Sequence, residues 1–487
     1  LELGEEVKAS DITEIQQTLN MWKGEITSHF MLNGNAFDVQ TVCHPNQDMI
    51  SACVTSRAHV GVNLRFPYPT GGHADDACNW NANDKHSTTI VRQDAQSALL
   101  KRVLDETTYY VTLRWEGKAN LAEKSKNYFV LTPEEDMLAF SCLFTPNFQG
   151  TVFESDPAVY ADDKALPAFT ETAAASATYE TVEPVAREIA RRQGFPGVRW
   201  MKMTDPSGTE APSNVGSFLI WQQPHFIYLA ELVYRANPSD EVIKKYNRLV
   251  QETAEFMYAF ATYDEFHGRF ILKGAIPAQE TLRAATTINP PFELSYWHFA
   301  MQTAQKWRER AGEKRNLEWD EMIDKLSPLA YNEDHLYLAS EDAVDTYKDI
   351  RFTSDHMAVL GAVGILPMNK LIRDDYMKNT LHWIWDNWNW GKTWGWDYPM
   401  TAMNAARLGE PEKAVGALLM DKRTNTYLVN GHNYQDGRLR VYLPGNGGLL
   451  TAIAMMCAGW DGCQVENPGF PKDGTWNVRW EGLKPMP

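Results

Sequence analysis

The chain has 487 residues, a formal net charge of −17 and 17 tryptophans. That length exceeds one ordinary core and implies two or three domains. An acidic chain without a basic run excludes a phosphate-backbone partner, so no nucleic acid is expected. No run of about 18 apolar residues offers a membrane span.

Taken in order, the chain opens at Leu1 with neither Met nor a signal peptide, which reads as a processed or incomplete chain. From about Gly24 to Phe144 short strand-like segments follow one another: Glu25 to Leu32, Phe37 to Cys43, Met49 to Ser56, Tyr109 to Trp115, Tyr128 to Leu131 and Met137 to Phe144. Turn chemistry at Asn33-Gly34-Asn35, at residues 45–48 and at residues 67–72 separates them. Residues 1–144 therefore read as an antiparallel β-sandwich lacking its first strands, with Ile12 to Trp22 as a connection into the first hairpin.

Residues 145–176 lose periodicity and gather Asp, Pro, Ala and Thr, as a linker does, with room for a short helix. Beyond them the period becomes helical. Val182 to Arg192, Phe218 to Arg235, Glu241 to Tyr263, Phe292 to Arg310 and Leu317 to Leu326 suit helices. So do Met357 to Ile365, Asp374 to Trp385, Pro399 to Leu408, Pro411 to Met420 and Gly447 to Ala458. A solenoid would repeat every 34 to 47 or so residues, and no such self-similarity exists. The expectation for residues 177–487 is a closed helical barrel with a C-terminal tail, its function carried by loops at one end.

Six cysteines, Cys43, Cys53, Cys78, Cys142, Cys457 and Cys463, form neither a CxxC pair nor a zinc spacing, so no metal is expected. Cys457 and Cys463 are near enough to bridge, or are separate thiols. Several tryptophans stand beside Gly, Asn or Asp rather than in apolar stripes. Flat rings there suit the apolar faces of sugars, in competition with plain core packing.

Cleaving a glycosidic bond takes two carboxyl groups, one a proton donor and one ionised. Glu280 lies in a Gly- and Pro-fixed loop, Lys273 to Thr281, where Ile276 and Ala278 suggest apolar surroundings suited to a general acid; a solvated loop carboxylate is the alternative. Asp397 stands among Trp394, Trp396, Tyr398 and Pro399 and is equally a helix cap. Asp355 and His356 open a further helix, where capping again competes. His225 follows Gln222 and Gln223, whose amides match sugar hydroxyls. Near the end come Asn430 to Asp436, with His432, and a glycine-rich turn, Tyr442 to Gly448, with Asn446, that could set backbone N–H groups on an oxygen-rich ligand or serve as a tight turn only.

In order, these pieces resemble the sugar-cleaving enzymes built as a β-sandwich followed by an (α/α)6 barrel, especially glycoside hydrolase family 65 and the related family 95. The resemblance covers most of the chain. Gly194 to Glu210 is similar to the family 65 stretch in which Gly-Ala-x-x-Pro-Trp precedes Asp-Gly-x-Glu. Pro277-Ala278-Gln279-Glu280 stands where that family has Gly-Pro-Asp-Glu, whose Glu is the general acid, and Asn289 to Leu294 follows where it has Asp-Asn-Asn-x-Tyr-Thr-Asn. Thr353 to Leu360 resembles the Lys-Gln-Ala-Asp-Val sugar-contacting segment, Trp396 to Gly409 the Ser-Ser-Leu-Ser segment, and Asn430-Gly431-His432 the Gly-Ile-His.

In phosphorylases of that family the Ser pair and the His hold phosphate. Here Trp396 and Asp397 replace the Ser pair, and an anion there repels phosphate and suits activation of water. The resemblance thus implies an inverting hydrolase of an α-linked glycoside in an oligo- or polysaccharide, with Glu280 as acid and Asp397 as base, Asp436 or Asp355 being the other candidate bases. Trp200, Trp221, Gln222, Gln223, His225, Asp355, His356, Trp396, His432 and Asn446 would bind the sugar, with no cofactor. A phosphorylase and an inactive sugar-binding protein are the alternatives. A periplasmic or secreted address fits a polymer-degrading enzyme.

Overall fold

The computed structural model describes residues 7–20, 25–44, 48–69, 78–145, 173–204, 210 and 216–487. Most of the expected linker, parts of the turns at 45–48 and 67–72, and Asp205 to Thr209 lie outside the described residues. The chain divides into two compact units, Leu1–Ala177 and Thr178–Pro487.

The first unit is built on an eight-stranded antiparallel sheet in the order β1-β2-β3-β4-β13-β10-β9-β8. Its members are β1 (Ile12–Asn20), β2 (Glu25–Leu32), β3 (Asn35–Cys43), β4 (Met49–Thr55), β8 (His86–Gln93), β9 (Ser97–Leu104), β10 (Thr107–Glu116) and β13 (Met137–Thr145). A second sheet, β11-β12-β5, holds β5 (Val62–Arg65), β11 (Ala119–Ser125) and β12 (Tyr128–Pro133). The strands β6 (Tyr68–Pro69) and β7 (Cys78–Asn79) form a small separate ladder. Period-two alternation makes the core: Val111, Leu113 and Trp115 on β10 are buried against Leu121, Phe129 and Leu131 of the second sheet, while Arg114 and Glu116 between them are exposed. Between β2 and β3, Asn33 and Gly34 take φ of 50° and 75°, which is the backbone a two-residue hairpin requires.

The structure corrects the connection expected over Ile12 to Trp22: Ile12–Asn20 is β1, which pairs antiparallel with β2 as the edge of the large sheet, and Met21 and Trp22 lie outside the described residues. The side chains of β1 are mostly exposed, so no buried alternation marked it in the sequence. β5, β8, β9 and β11 likewise have no counterpart among the expected strands.

The second unit is helical: α1 (Ala173–Arg192, reaching in from the first), α2 (His225–Ala236), α3 (Asp240–Phe260), α4 (Pro291–Arg310), α5 (Leu317–Lys325), α6 (Asp374–Asn387), α7 (Asp397–Arg407), α8 (Pro411–Leu418) and α9 (Leu443–Ala458). Two hairpins interrupt the series, β14 (Thr262–Asp264) with β15 (Arg269–Ile271) and β16 (Thr426–Tyr427) with β17 (Asn433–Tyr434). α4 is buried along most of its length, polar residues such as Glu293, Ser295 and Gln305 included, with Gln302, Lys306 and Glu309 on its exposed side. Leu294, Trp297, Met301, Ala304 and Trp307 are sealed in the core, and Trp307 Nε1 donates to Glu231 Oε2 at 2.8 Å.

Two expected helices differ. α2 starts at His225, not Phe218, because Pro224 lacks an N–H and takes the entry position. Met357 to Ile365 holds only a 3-10 turn, Ala358–Ala362. Its carbonyls bond side chains instead of continuing a helix: Asn404 Nδ2 donates to Leu360 O and Val363 O, and Ser295 Oγ to Ala362 O. Cys457 and Cys463 are separate thiols.

Gly197 has a φ of 69°, and a Cβ there would lie 2.0 Å from Glu252 O on α3. This close approach seats the segment that leads to Trp200. Gly197→Ala should therefore cost on the order of 3 kcal/mol or more, visible as a lowered midpoint in thermal unfolding.

Candidate functional site

Four stretches of the helical unit converge: the turn before α2, the loop carrying Glu280, the segment around His356 and the start of α7. At their meeting point the rings of Trp221 and Trp396 stack with centroids 6.3 Å apart and planes 25° from parallel. His225 lies edge-on to Trp221 at 5.4 Å, and its Nδ1 bonds Tyr296 Oη at 2.8 Å. His356 stands against Trp396 at 4.7 Å and Trp394 at 5.8 Å, and Trp394 against Tyr442 at 5.6 Å. Aromatic faces with few, directed polar groups are the makings of a sugar-sized recognition surface.

Asp397 is the first residue of α7 and is sealed from solvent at 0% exposure. Its Oδ2 accepts from Trp394 N at 2.8 Å and from the Thr393 hydroxyl, and His356 Nδ1 lies 3.0 Å away. The carboxylate thus ties the turn that enters α7, without capping the helix amides, and also orients an imidazole. Burial alone would push His356 down. Asp397, by charge and hydrogen bond, with Asp355 and Glu280 adding charge, instead raises it above the usual histidine value. Among the described residues His356 Nε2 makes no hydrogen bond.

Glu280 forms an ion pair with Lys202, 2.7 Å from Nζ to Oε1. The expected apolar cradle is thus replaced by a cation on one side. The loop is fixed at several points. Ile276 N donates to Phe218 O at 3.0 Å, Gln279 Nε2 to Phe352 O at 3.0 Å, and Thr281 N to Asp355 Oδ2 at 2.8 Å. Asp355 Oδ1 accepts His356 N at 2.7 Å, so this acid joins the Glu280 loop to the His356 segment. Tyr442 lies among the same groups: burial, then the charges of Asp397 and Glu280, raise its phenol far above the usual value.

Several expected sugar ligands belong to the frame. Trp200 is 3% exposed, stacked on Phe226 with Nε1 bonded to Thr253 Oγ1, and so fills the core. Gln223 spends its amide on Trp200, accepting its N–H at 2.9 Å and donating to its carbonyl at 2.6 Å. Gln222 also donates to that carbonyl, at 3.2 Å, leaving Oε1 buried and unpartnered. Asn446 pins the turn of His432, donating to Gly431 O at 2.7 Å and accepting Asn433 N at 2.9 Å, while His432 Nδ1 is buried without a partner. Asp436 accepts Arg438 N and Leu439 N, capping its own turn.

Lys202, Tyr442, Trp394 and Tyr296 join the site without having been singled out as ligands. Lys202 and Tyr442 stood inside quoted stretches, but a partner far along the chain makes each of them relevant. Among the described residues no group of three or more His, Cys, Asp or Glu could hold a metal ion.

With this geometry in hand, the fold defines the chain's structural class: a large antiparallel sheet followed in the chain by a helical unit. No family model matches the chain, and no curated protein matches it. A solved structure described as a kojibiose phosphorylase from the human microbiome is similar at TM-score 0.53 and 9% identity, over 91% of this chain and 76% of that one. A bacterial glucoamylase complexed with acarbose gives 0.38 at 10% identity, over 83% of this chain and 79% of that one. Glycoside hydrolase family 81 from Clostridium thermocellum gives 0.21 at 9%, over 83% and 64%. At these identities the likeness is one of fold.

One more carboxyl group matters. Glu293, in the first turn of α4, is 1% exposed, and burial pushes it up to about 7 against the pull of the Ala278 N–H. Between the ordinary carboxyl value and about 7 the folded chain holds a proton that the unfolded chain releases, so stability falls as pH rises through that window. His225, pushed down to about 4 by burial, acts in the opposite sense. Comparison with Glu293→Gln isolates the first effect: raising the pH from about 4.5 to about 7 should cost wild type on the order of 3 kcal/mol more than the variant, read by chemical denaturation.

Proposed function

We propose that this chain is a carbohydrate-active enzyme that cleaves a glycosidic bond, and specifically an inverting hydrolase of an α-linked glycoside. The observation that supports this most is the shared field at Tyr442: Glu280 on its loop and Asp397 at the start of α7, 117 residues further along the chain, both act on one phenol at the edge of the aromatic cluster. Two carboxyl groups facing one sugar-sized region are what glycoside cleavage needs. In this reading residues 177–487 form the catalytic domain, an (α/α)6 barrel, and residues 1–144 a β-sandwich, joined by a linker at 145–176.

The roles follow from position. Trp221 and Trp396 offer ring faces to the sugar, and His225 and His356 offer nitrogen atoms to its hydroxyls. Glu280 gives a proton to the leaving oxygen. Asp397 acts as the base through His356, which it holds by Nδ1, so that Nε2 takes the proton of the attacking water. The oxygen of that water bonds to the anomeric carbon as the bond to the leaving oxygen breaks.

Water rather than phosphate is favoured as nucleophile because Asp397 and Asp355 both place negative charge at His356 while Glu280 carries the proton it donates. A surplus of negative charge repels a phosphate dianion. The neighbour described as a kojibiose phosphorylase keeps the second reading specific, and it makes phosphate the control.

Sugar release from a panel of α- and β-linked oligosaccharides should proceed without phosphate. Glu280→Gln and Asp397→Asn should each lower kcat by about 10² or more while substrate still binds, as removal of an acid or a base does. Release that requires phosphate would point to the phosphorylase. Binding with no release by wild type would leave a sugar-binding protein.

A further inference from the structure

Glu293 is a carboxyl group that the acid–base chemistry leaves unused, yet its surroundings are exceptional. It is 1% exposed. Its Oε1 accepts Ala278 N–H at 2.7 Å, and its Oε2 has no hydrogen-bond partner among the described residues. Neighbouring side chains are apolar or aromatic, with Ala278, Phe292 and Tyr296 in one buried cluster. A charge in that position would be stabilised by little more than a single amide, and burying an ion so poorly compensated costs far more than burying a neutral acid.

The bond falls at a consequential place. Ala278 lies two residues before Glu280, and Thr281, one residue after it, is held by Asp355. Glu280 therefore hangs between two backbone clamps, each closed by a carboxyl oxygen. Asp355 has other donors, Thr281 Oγ1 and His356 N, which compensate its charge. Glu293 has no comparable set.

We propose that Glu293 is a positioning residue for the Glu280 loop: as a neutral acid it accepts the Ala278 N–H and fixes the backbone beside Glu280, and its ionisation loosens that clamp. Once charged, the group draws in water, and the first turn of α4 and the loop part to admit it. The titratable groups around it are Tyr296 on its own helix, His225 and Tyr228 on α2, and Glu280 with Lys202 across the loop. No charge on any of them figures among the causes of its shift, which is set by burial against two backbone amides. The upper end of the working pH range is then a property of the frame rather than of the groups that touch substrate.

This inference rests on the reading of Glu280 as a catalytic group, and one of its two tests does not. Full-length wild type, Glu293→Gln and Glu293→Ala are compared at about pH 6 and about pH 8. The amide of Gln keeps an acceptor for Ala278 N–H and cannot ionise. In kcat/KM for the cleaved glycoside, the ratio of Glu293→Gln to wild type should rise about tenfold over that interval, while Glu293→Ala is lower by about 10² at both values. In hydrogen exchange, protection of the amides of Ala278 to Thr281 should fall with pH in wild type relative to Glu293→Gln and be lost in Glu293→Ala at both values. A ratio and a protection that stay constant with pH would overturn the proposal, as would full protection in Glu293→Ala. If no glycoside is cleaved, the functional reading fails, and hydrogen exchange still decides the clamp.

Discussion

The carboxylate of Asp397 is the constraint on which the site depends. A charge with no exposure must be compensated where it stands. The compensation here comes from Trp394 N–H, the Thr393 hydroxyl and the His356 ring. Each of these donors has a geometric consequence. The first two fold the chain back on the start of α7, where the indoles of Trp394 and Trp396 both stand against the imidazole. The third fixes the imidazole by Nδ1 and leaves Nε2 as its functional nitrogen. Removing the carboxylate would release the ring and the turn together, which is why one acid serves as both helix start and site anchor.

A second acid-based device holds Glu280. Its loop has little regular structure of its own and borrows order from its neighbours through Phe218 O, Phe352 O, Asp355 and Glu293. Asp355 connects this loop to His356, so the two halves of the site share a residue. The aromatic pair Trp221 and Trp396 then bridges from the turn before α2 to the start of α7. Rigid helices supply the frame, and loops at their ends carry the chemistry.

How much of this was legible differs by level. Strand-like segments bounded by turn residues announced β2, β3, β4, β10, β12 and β13, and in β10 and β12 buried and open positions alternate as well. β1 was hidden because it buries almost nothing. Amphipathic or apolar helices were visible throughout, but the 3-10 turn at Ala358–Ala362 was not, since its carbonyls are claimed by Asn404 and Ser295 from elsewhere in the chain. In the site, the order of the motifs led to Trp221, His225, Asp355, His356, Trp396, Asp397 and Glu280, which the fold brings together. Trp200, Gln223 and Asn446 looked like ligands because polar or aromatic residues near a turn suit either a sugar or the frame, and here the core takes Trp200 while backbone groups take Gln223 and Asn446. Lys202, Tyr442 and Glu293 gave no local signal. Their significance lies in partners 78 residues away, in two acids on other loops, and in burial.

The most direct test of hydrolysis with inversion is the anomeric configuration of the first sugar released, followed by proton magnetic resonance from the moment wild type meets an α-linked oligosaccharide in phosphate-free buffer. With Glu280 as acid and the Asp397–His356 pair as base, the account predicts the β-anomer first, equilibrating later with the α-anomer. Initial release of the α-anomer would contradict the account, because it requires a covalent intermediate on a carboxylate, and Asp397, sealed behind His356, has no path to form one.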